Sequence, residues 1–207
     1  MREANDALAA QLDREKEARV REMIAWALGE SQARSGAPAL RKAMRNDSDE
    51  DVRETAVWAL GEMQDRESVD ALGDLIEHDS SPRVRGTAAW AIGEIGSRGG
   101  KAPTGLMHLL RDDTDETRLK AAWALGNVGD ASAINAIRDA LKVEKSTQVR
   151  RALVRALIKS GGRSEEGLTE LLTSSDESVR DAAVRGLAGR DSFNPWPWPW
   201  PRPRPFP

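Results

Sequence analysis

Four tryptophans recur at near-constant spacing: Trp26, Trp58, Trp90 and Trp123, separated by 32, 32 and 33 residues. Each opens a short stretch, Trp-Ala-Leu-Gly-Glu at 26–30 and 58–62, Trp-Ala-Ile-Gly-Glu at 90–94 and Trp-Ala-Leu-Gly-Asn at 123–127. An arginine stands five residues before each Trp: Arg21, Arg53, Arg85 and Arg118. Two fainter copies keep the register, with Arg150 leading to Arg155 and Arg180 leading to Arg185, so arginine takes the place of the indole. Rows of indoles, guanidinium groups and carboxylates bind by stacking, cation–π contact and charge pairing. They do not by themselves make or break bonds, and no residue stands out as catalytic, so a non-enzymatic role is expected. The chain has no Cys and only His78 and His108, so neither a thiolate metal site nor a bound metal or cofactor is expected.

A second chemistry sits at the C-terminus. Pro195, Pro197, Pro199, Pro201, Pro203, Pro205 and Pro207 alternate with Trp196, Trp198, Trp200, Arg202, Arg204 and Phe206. Seven of the ten prolines and three of the seven tryptophans lie here, which marks the segment off from the rest. Every second residue lacks an N–H and every residue before a Pro is pushed to extended angles, so helix is impossible and polyproline II is expected. At ~3.1 Å per residue the segment reaches about 40 Å, roughly four helix spacings of about 10 Å. Three-fold winding puts Trp196 with Arg202, Trp198 with Arg204 and Trp200 with Phe206. These six side chains are the candidate ligand groups.

The elements that position the recurring groups are helix pairs. A period near 32 residues is the mark of a stacked repeat architecture, in which each unit buries its face on its neighbours. The second half of each repeat begins at Val20, Val52, Val84, Thr117, Val149 and Val179. Counted from that residue, offsets 0, 4, 7 and 8 are apolar, for example Val52, Ala56, Ala59 and Leu60, which is one stripe of a helix. The first halves are shorter amphipathic helices carrying pairs such as Leu40 with Met44 and Ile134 with Ile137 and Leu141. Asp47-Ser48-Asp49 and Ser80-Ser81-Pro82 read as caps of second helices, and Gly36, Gly129-Asp130 and Gly161-Gly162 as turns. Residues 1–17 form a polar helix that suits an end cap.

The Val-Arg-x-x-Ala-x-x-Ala-Leu-Gly pattern of the second helices, in pairs of this length, resembles HEAT repeats of the short bacterial type, related to phycobilin-lyase repeats. The resemblance covers residues 18–190. It implies an all-α fold, a right-handed α-solenoid of about six HEAT-type helix pairs, here followed by the extended polyproline II tail. Domain bounds follow: 1–190 for the solenoid, 191–194 for a linker and 195–207 for the tail. Tetratricopeptide repeats are set aside because they carry a Tyr after Leu-Gly, and this chain has no Tyr.

On a helical wheel each Trp lies at offset 6, about 240° around, whereas the apolar stripe centres near about 25°. The indoles are therefore expected to point away from the core and to form an exposed row along a groove, continued by Arg155 and Arg185. Glu22 and Glu54, at offset 2, lie beside that row. The groove-binding set is thus Trp26, Trp58, Trp90, Trp123, Glu22, Glu54, Arg155 and Arg185. The arginine ladder is expected to be structural instead: an acid stands six residues before several members (Asp47, Asp79, Asp112), and in HEAT proteins such pairs tie a loop to a neighbouring helix. Glu30, Glu62 and Glu94 follow Gly at helix C-termini, where the dipole disfavours carboxylates and a cation would relieve them.

Net charge is −3, and the sixteen residues from Ser192 to Pro207 carry two arginines and no acid, which leaves −5 on residues 1–191. An acidic body argues against nucleic-acid binding, which depends on phosphate neutralisation. No run reaches membrane-spanning length and the start lacks a signal-peptide pattern, so a cytoplasmic location is expected, or an extracellular one if the chain belongs to a longer precursor. The leading expectation is a protein–protein interaction scaffold whose tail docks in a Trp-lined groove of a neighbouring copy, giving head-to-tail assembly or a filament. The alternatives are an adaptor whose tail binds a separate polyproline-recognising partner, a weak membrane-surface anchor, and a bilin-lyase-like protein. Two other activities found on related repeats are disfavoured: a di-iron hydroxylase needs paired His-Glu motifs, and a DNA glycosylase needs a basic groove.

Overall fold

A computed structural model describes residues 2–96, 100–112, 114–162 and 165–188. The linker 191–194 and the tail, with Trp196, Trp198, Trp200, Arg202, Arg204 and Phe206, lie outside the described residues. Among those described, the chain is all-α, with no strand. It divides into two compact units that part between Ile95 and Gly96.

The first unit holds α1 (Arg2–Leu12), α2 (Ala18–Glu30), α3 (Ala37–Asn46), α4 (Glu50–Glu62), α5 (Val69–His78) and α6 (Pro82–Ile95). The second helices form one layer, α2 against α4 and α4 against α6, while α3 packs on α4 and α5 on α6. The N-terminal α1 covers α2 and α3, with Leu12 buried, as an end cap should. The second unit holds α7 (Thr104–His108), prolonged by a 3-10 turn at Leu109–Arg111, then α8 (Asp115–Val128), α9 (Ile134–Val143), α10 (Thr147–Lys159), α11 (Glu165–Leu172) and α12 (Glu177–Leu187). Here α10 lies between α8 and α12, and α7, α9 and α11 back the second helices they precede. The cores are the apolar stripes read from the sequence: Leu28, Leu40, Met44, Leu60 and Leu72 in one unit, and Leu106, Leu125, Ile137, Leu153 and Leu157 in the other, all buried. Each such side chain contributes about 2 kcal/mol of transfer free energy.

Ends of helices are set locally. The Asp49 carboxylate accepts from the amides of Asp51 and Val52 at 3.0 and 3.3 Å, and Thr114 and Asp176 cap α8 and α12 in the same way. The second helices α2, α4, α8 and α10 end on a residue in the left-handed region. Gly129 (φ 69°) and Gly161 (φ 92°) take that place in the second unit, but Gln32 (φ 47°) and Gln64 (φ 50°) take it in the first. The following amides, of Ala33 and Asp65, close onto the carbonyls of Leu28 and Leu60, each at 3.0 Å.

The arginine ladder ties loops together. Arg53 donates through Nη1 to the carbonyl of Asp47 at 3.0 Å, and through Nε and Nη2 to the Asp79 carboxylate at 2.8 and 3.0 Å. Arg21 makes the same fork with Asp47, and Arg118 with Glu144. The structural role expected of the ladder is what the contacts describe, with a refinement. The acid six residues before an arginine offers that arginine its carbonyl, while its carboxylate takes the arginine of the preceding repeat. Asp47 thus serves Arg21 with its side chain and Arg53 with its backbone. Arg150 reaches Asp176 at 3.0 Å through Nε and turns Nη2 to Thr147 instead, a looser tie.

Candidate interaction face

The indoles of Trp58 and Trp90 are not exposed: each is 1% accessible. This corrects the expectation of a four-tryptophan row turned to solvent. The reason lies in the glycine of the preceding repeat. A Cβ placed on Gly29 would stand 2.7 Å from Cζ3 of Trp58 and 2.9 Å from Cβ of Ala59. One placed on Gly61 would stand 2.7 Å from Cζ3 of Trp90 and 3.0 Å from Cβ of Ala91. Each indole therefore lies across the seam between successive second helices, seated on a glycine that leaves room for it. The wheel measured each helix against a single stripe, whereas α4 is enclosed by α3, α2 and α6, and residues 54–61 are all buried. Trp26, on the first of these helices, is half-buried.

Glu54, expected as an open groove carboxylate, is also taken up within the fold. It is 8% accessible, accepts from Thr87 Oγ1 at 2.9 Å and pairs with Nη2 of Arg83, whose Nη1 meets Asp51 at 2.8 Å. Arg83, Thr87 and Asp51 were missed in the sequence reading. Their signal was available: Arg83 and Thr87 stand one repeat after Asp51 and Thr55, so a register of 32 brings one helix's acids to the next helix's donors. Glu22 differs. It is half-buried, and burial with the charges of Asp51 and Asp49 holds its carboxyl above the usual range, against the pull of Arg19 and Arg83. Glu94, at the C-terminal end of α6, is raised likewise by burial and by the charge of Glu62. The second-helix layer of the first unit therefore carries two carboxyls, Glu22 and Glu94, held above the ordinary range mainly by burial, beside indole-covered seams.

In the second unit Trp123 and Arg155 are half-buried and Arg185 is exposed, its Nε donating to Asp181 at 2.9 Å. Lys159 joins α10 to α8 through Asn127 at 3.1 Å. The surface of α10 is basic, with Arg151 and Lys159 exposed. Among the described residues no cluster of three or more His, Asp or Glu could hold a metal ion, and no helix is long and apolar enough to cross a membrane.

Layers of paired helices with loop-stapling arginines define an α-helical repeat scaffold of the α-solenoid class. The HEAT-repeat family pattern matches residues 1–56, 37–118 and 103–188. The chain belongs to the HEAT-repeat family. Among solved structures it is similar to the CpcE–CpcF complex of phycocyanin lyase from Nostoc sp. PCC7120, at 22% identity and a TM-score of 0.67 over 88% of this chain and 75% of that one. It is also similar to a designed armadillo repeat protein, at 20% identity, TM-score 0.61, over 88% and 98% of the two chains. A second designed armadillo protein, made for modular peptide recognition, is 19% identical with a TM-score of 0.59, over 88% and 98%. No curated protein matches by sequence.

Proposed function

We infer that the chain is a non-enzymatic interaction scaffold whose second-helix face takes an extended peptide, and that the Pro/Trp/Arg tail is such a peptide, supplied by a neighbouring copy. The observation that carries this is chemical complementarity. The first unit repeats carboxylates at matched positions, Glu30, Glu62 and Glu94, next to indole-bearing seams, and Glu94 is held above its ordinary pKa by burial and by the charge of Glu62. The tail supplies two guanidinium groups, three indoles and no acid. Prolines at every second position restrict the backbone of the tail sequence, so such a segment loses less conformational entropy on docking. The designed armadillo proteins of similar fold recognise peptides in modular fashion, which supports the same use here. Trp123, Arg155 and Arg185 occupy the equivalent positions of the second unit and are proposed to serve the same purpose there. Docking onto the next copy is heterologous, so it propagates head to tail unless it closes.

Light scattering on the full chain and on a chain ending at Ser192 tests this. The expected outcome is an oligomer for the first and a monomer for the second. Equal masses would sink assembly through the tail, and a monomer in both would shift the reading to an adaptor whose tail binds a separate partner. A second reading, a bilin-handling protein, draws on the fold shared with phycocyanin lyase. Titrating a phycobilin into the chain and following its absorbance decides it: a saturable spectral shift favours that reading, and an unchanged spectrum removes it.

A further inference from the structure

The tie between α4 and α6 occurs once more in the same unit, but unfinished. Glu54 of α4 is met from α6 by the guanidinium of Arg83 and the hydroxyl of Thr87, the latter at 2.9 Å. Glu22 stands at the same position one repeat earlier, on α2, and the residues that α4 offers it in register are Asp51 and Thr55. Where the later repeat supplies a cation, the earlier one supplies a second acid. Thr55 is fully buried and its Oγ1 has no hydrogen-bond partner, although its counterpart Thr87 spends its hydroxyl on the carboxylate. A buried hydroxyl left unsatisfied is unfavourable, so Thr55, standing in register with Glu22 as Thr87 does with Glu54, marks a place completed from outside. Glu22 is half-buried and Asp51, which Arg83 meets at 2.8 Å from one side, is exposed, so the two carboxylates are open to a ligand in front of the buried Thr55.

Resting on the docking reading above, we propose that Glu22, Asp51 and Thr55 form a subsite for one guanidinium of an extended segment, and that the segment is residues 195–207, through Arg202 or Arg204. Arg83 shows the chemistry wanted: its two Nη groups divide between Asp51 and Glu54, a fork that a planar guanidinium makes and a single ammonium does not. Charge complementarity favours this occupant, because residues 195–207 hold both of the tail's arginines and no acid. Trp26 lies one helical turn beyond Glu22, within reach of a guanidinium that pairs with that carboxylate.

The test uses the full chain carrying Arg202→Gln and Arg204→Gln, so that its own tail cannot fill the subsite. The probe is a fluorescein-labelled peptide with the sequence of residues 195–207, and a second peptide with citrulline at both arginines. By fluorescence anisotropy the arginine peptide should bind about tenfold more tightly than the citrulline peptide, the scale of one charge-assisted contact. Glu22→Gln should abolish that ratio. Asp51→Arg, which sets a guanidinium where Arg83 stands one repeat later, should abolish it too, and circular dichroism confirms that both variants fold. If both peptides bind equally, or the ratio survives Glu22→Gln, the subsite is wrong while tail docking stands. If neither peptide binds, tail docking itself falls and the subsite with it.

Discussion

Gln32 and Gln64 hold backbone conformations that elsewhere in this chain belong to glycine. Gly129 and Gly161 stand at the equivalent positions, 65 and 97 residues after Gln64, and meet the left-handed angle without a side chain. An L-residue pays about 1 kcal/mol there, because its Cβ crowds the following carbonyl. Gln64→Gly should therefore raise the melting temperature, by about 1 kcal/mol of stability less the extra unfolded-state entropy of glycine. Thermal denaturation followed by circular dichroism reads the sign, and a fall would mean that the Gln64 side chain makes a compensating contact. The sequence did not disclose this position, because Gln is not a turn signal, whereas Gly129 and Gly161 were legible as turns from residue type alone. The same limit governs Trp58: its spacing was plain, but its burial depends on Gly29 of another helix, which no single-helix wheel includes.

At the level of elements, the second helices are held to their neighbours by two devices with different legibility. Apolar stripes and caps are local or periodic, so helix pairs and their boundaries could be read from Val52, Ala56, Ala59 and Leu60 or from Asp49. The polar ties become readable only when successive second helices are laid side by side in the 32-residue register, so Glu54 with Arg83 escapes a reading made one helix at a time. The arginine staple lies between these cases: its spacing was visible, but the carboxylate it grips stands 26 residues ahead, not six behind. Asp79 has 4% of its side chain accessible and Arg53 12%, so removing one partner strands a largely buried charge. Asp79→Ala should cost about 3 kcal/mol. Urea titration measures it, and a loss under 1 kcal/mol would mean that the carbonyl bonds alone hold Arg53.

For the whole molecule, these carboxylates set the response to acid. Burial pushes the Asp47 carboxyl up, but hydrogen bonds from Arg21 and the Asp49 amide, with the charges of Arg21 and Arg53, more than reverse it and leave the pKa lowered. Glu144 is lowered by the same balance, with Arg118 as its partner. A carboxylate lowered in the folded state gives stability that is complete above its unfolded pKa, about 4, and is lost as pH falls through the lower folded value. Glu22 and Glu94 act in the opposite sense, costing stability when ionised and releasing it as they protonate. Melting temperature should therefore hold across roughly pH 6 to 8 and fall below about pH 4. Asp47→Asn should lower it at neutral pH and shrink the acid-induced drop; an undiminished drop would assign acid sensitivity to other groups. Glu94→Gln should raise stability at neutral pH and lose its advantage in acid.

The seating of an indole on the glycine of the repeat before it also makes the first unit's modules interchangeable. Gly29 and Gly61 are equivalent sockets, Trp58 and Trp90 equivalent plugs, and Asp47 and Asp79 equivalent anchors for the arginine behind them. Excising residues 34–65, one full period, joins Ala33 to Arg66 and presents Trp90 to Gly29 and Asp79 to Arg21. The shortened chain should fold with a helical circular dichroism spectrum and a cooperative melt, whereas an excision a few residues longer or shorter should not. A gene that encodes such matched joints can gain or lose a module by unequal recombination and still yield a foldable product, so array length is free to drift while each joint stays intact.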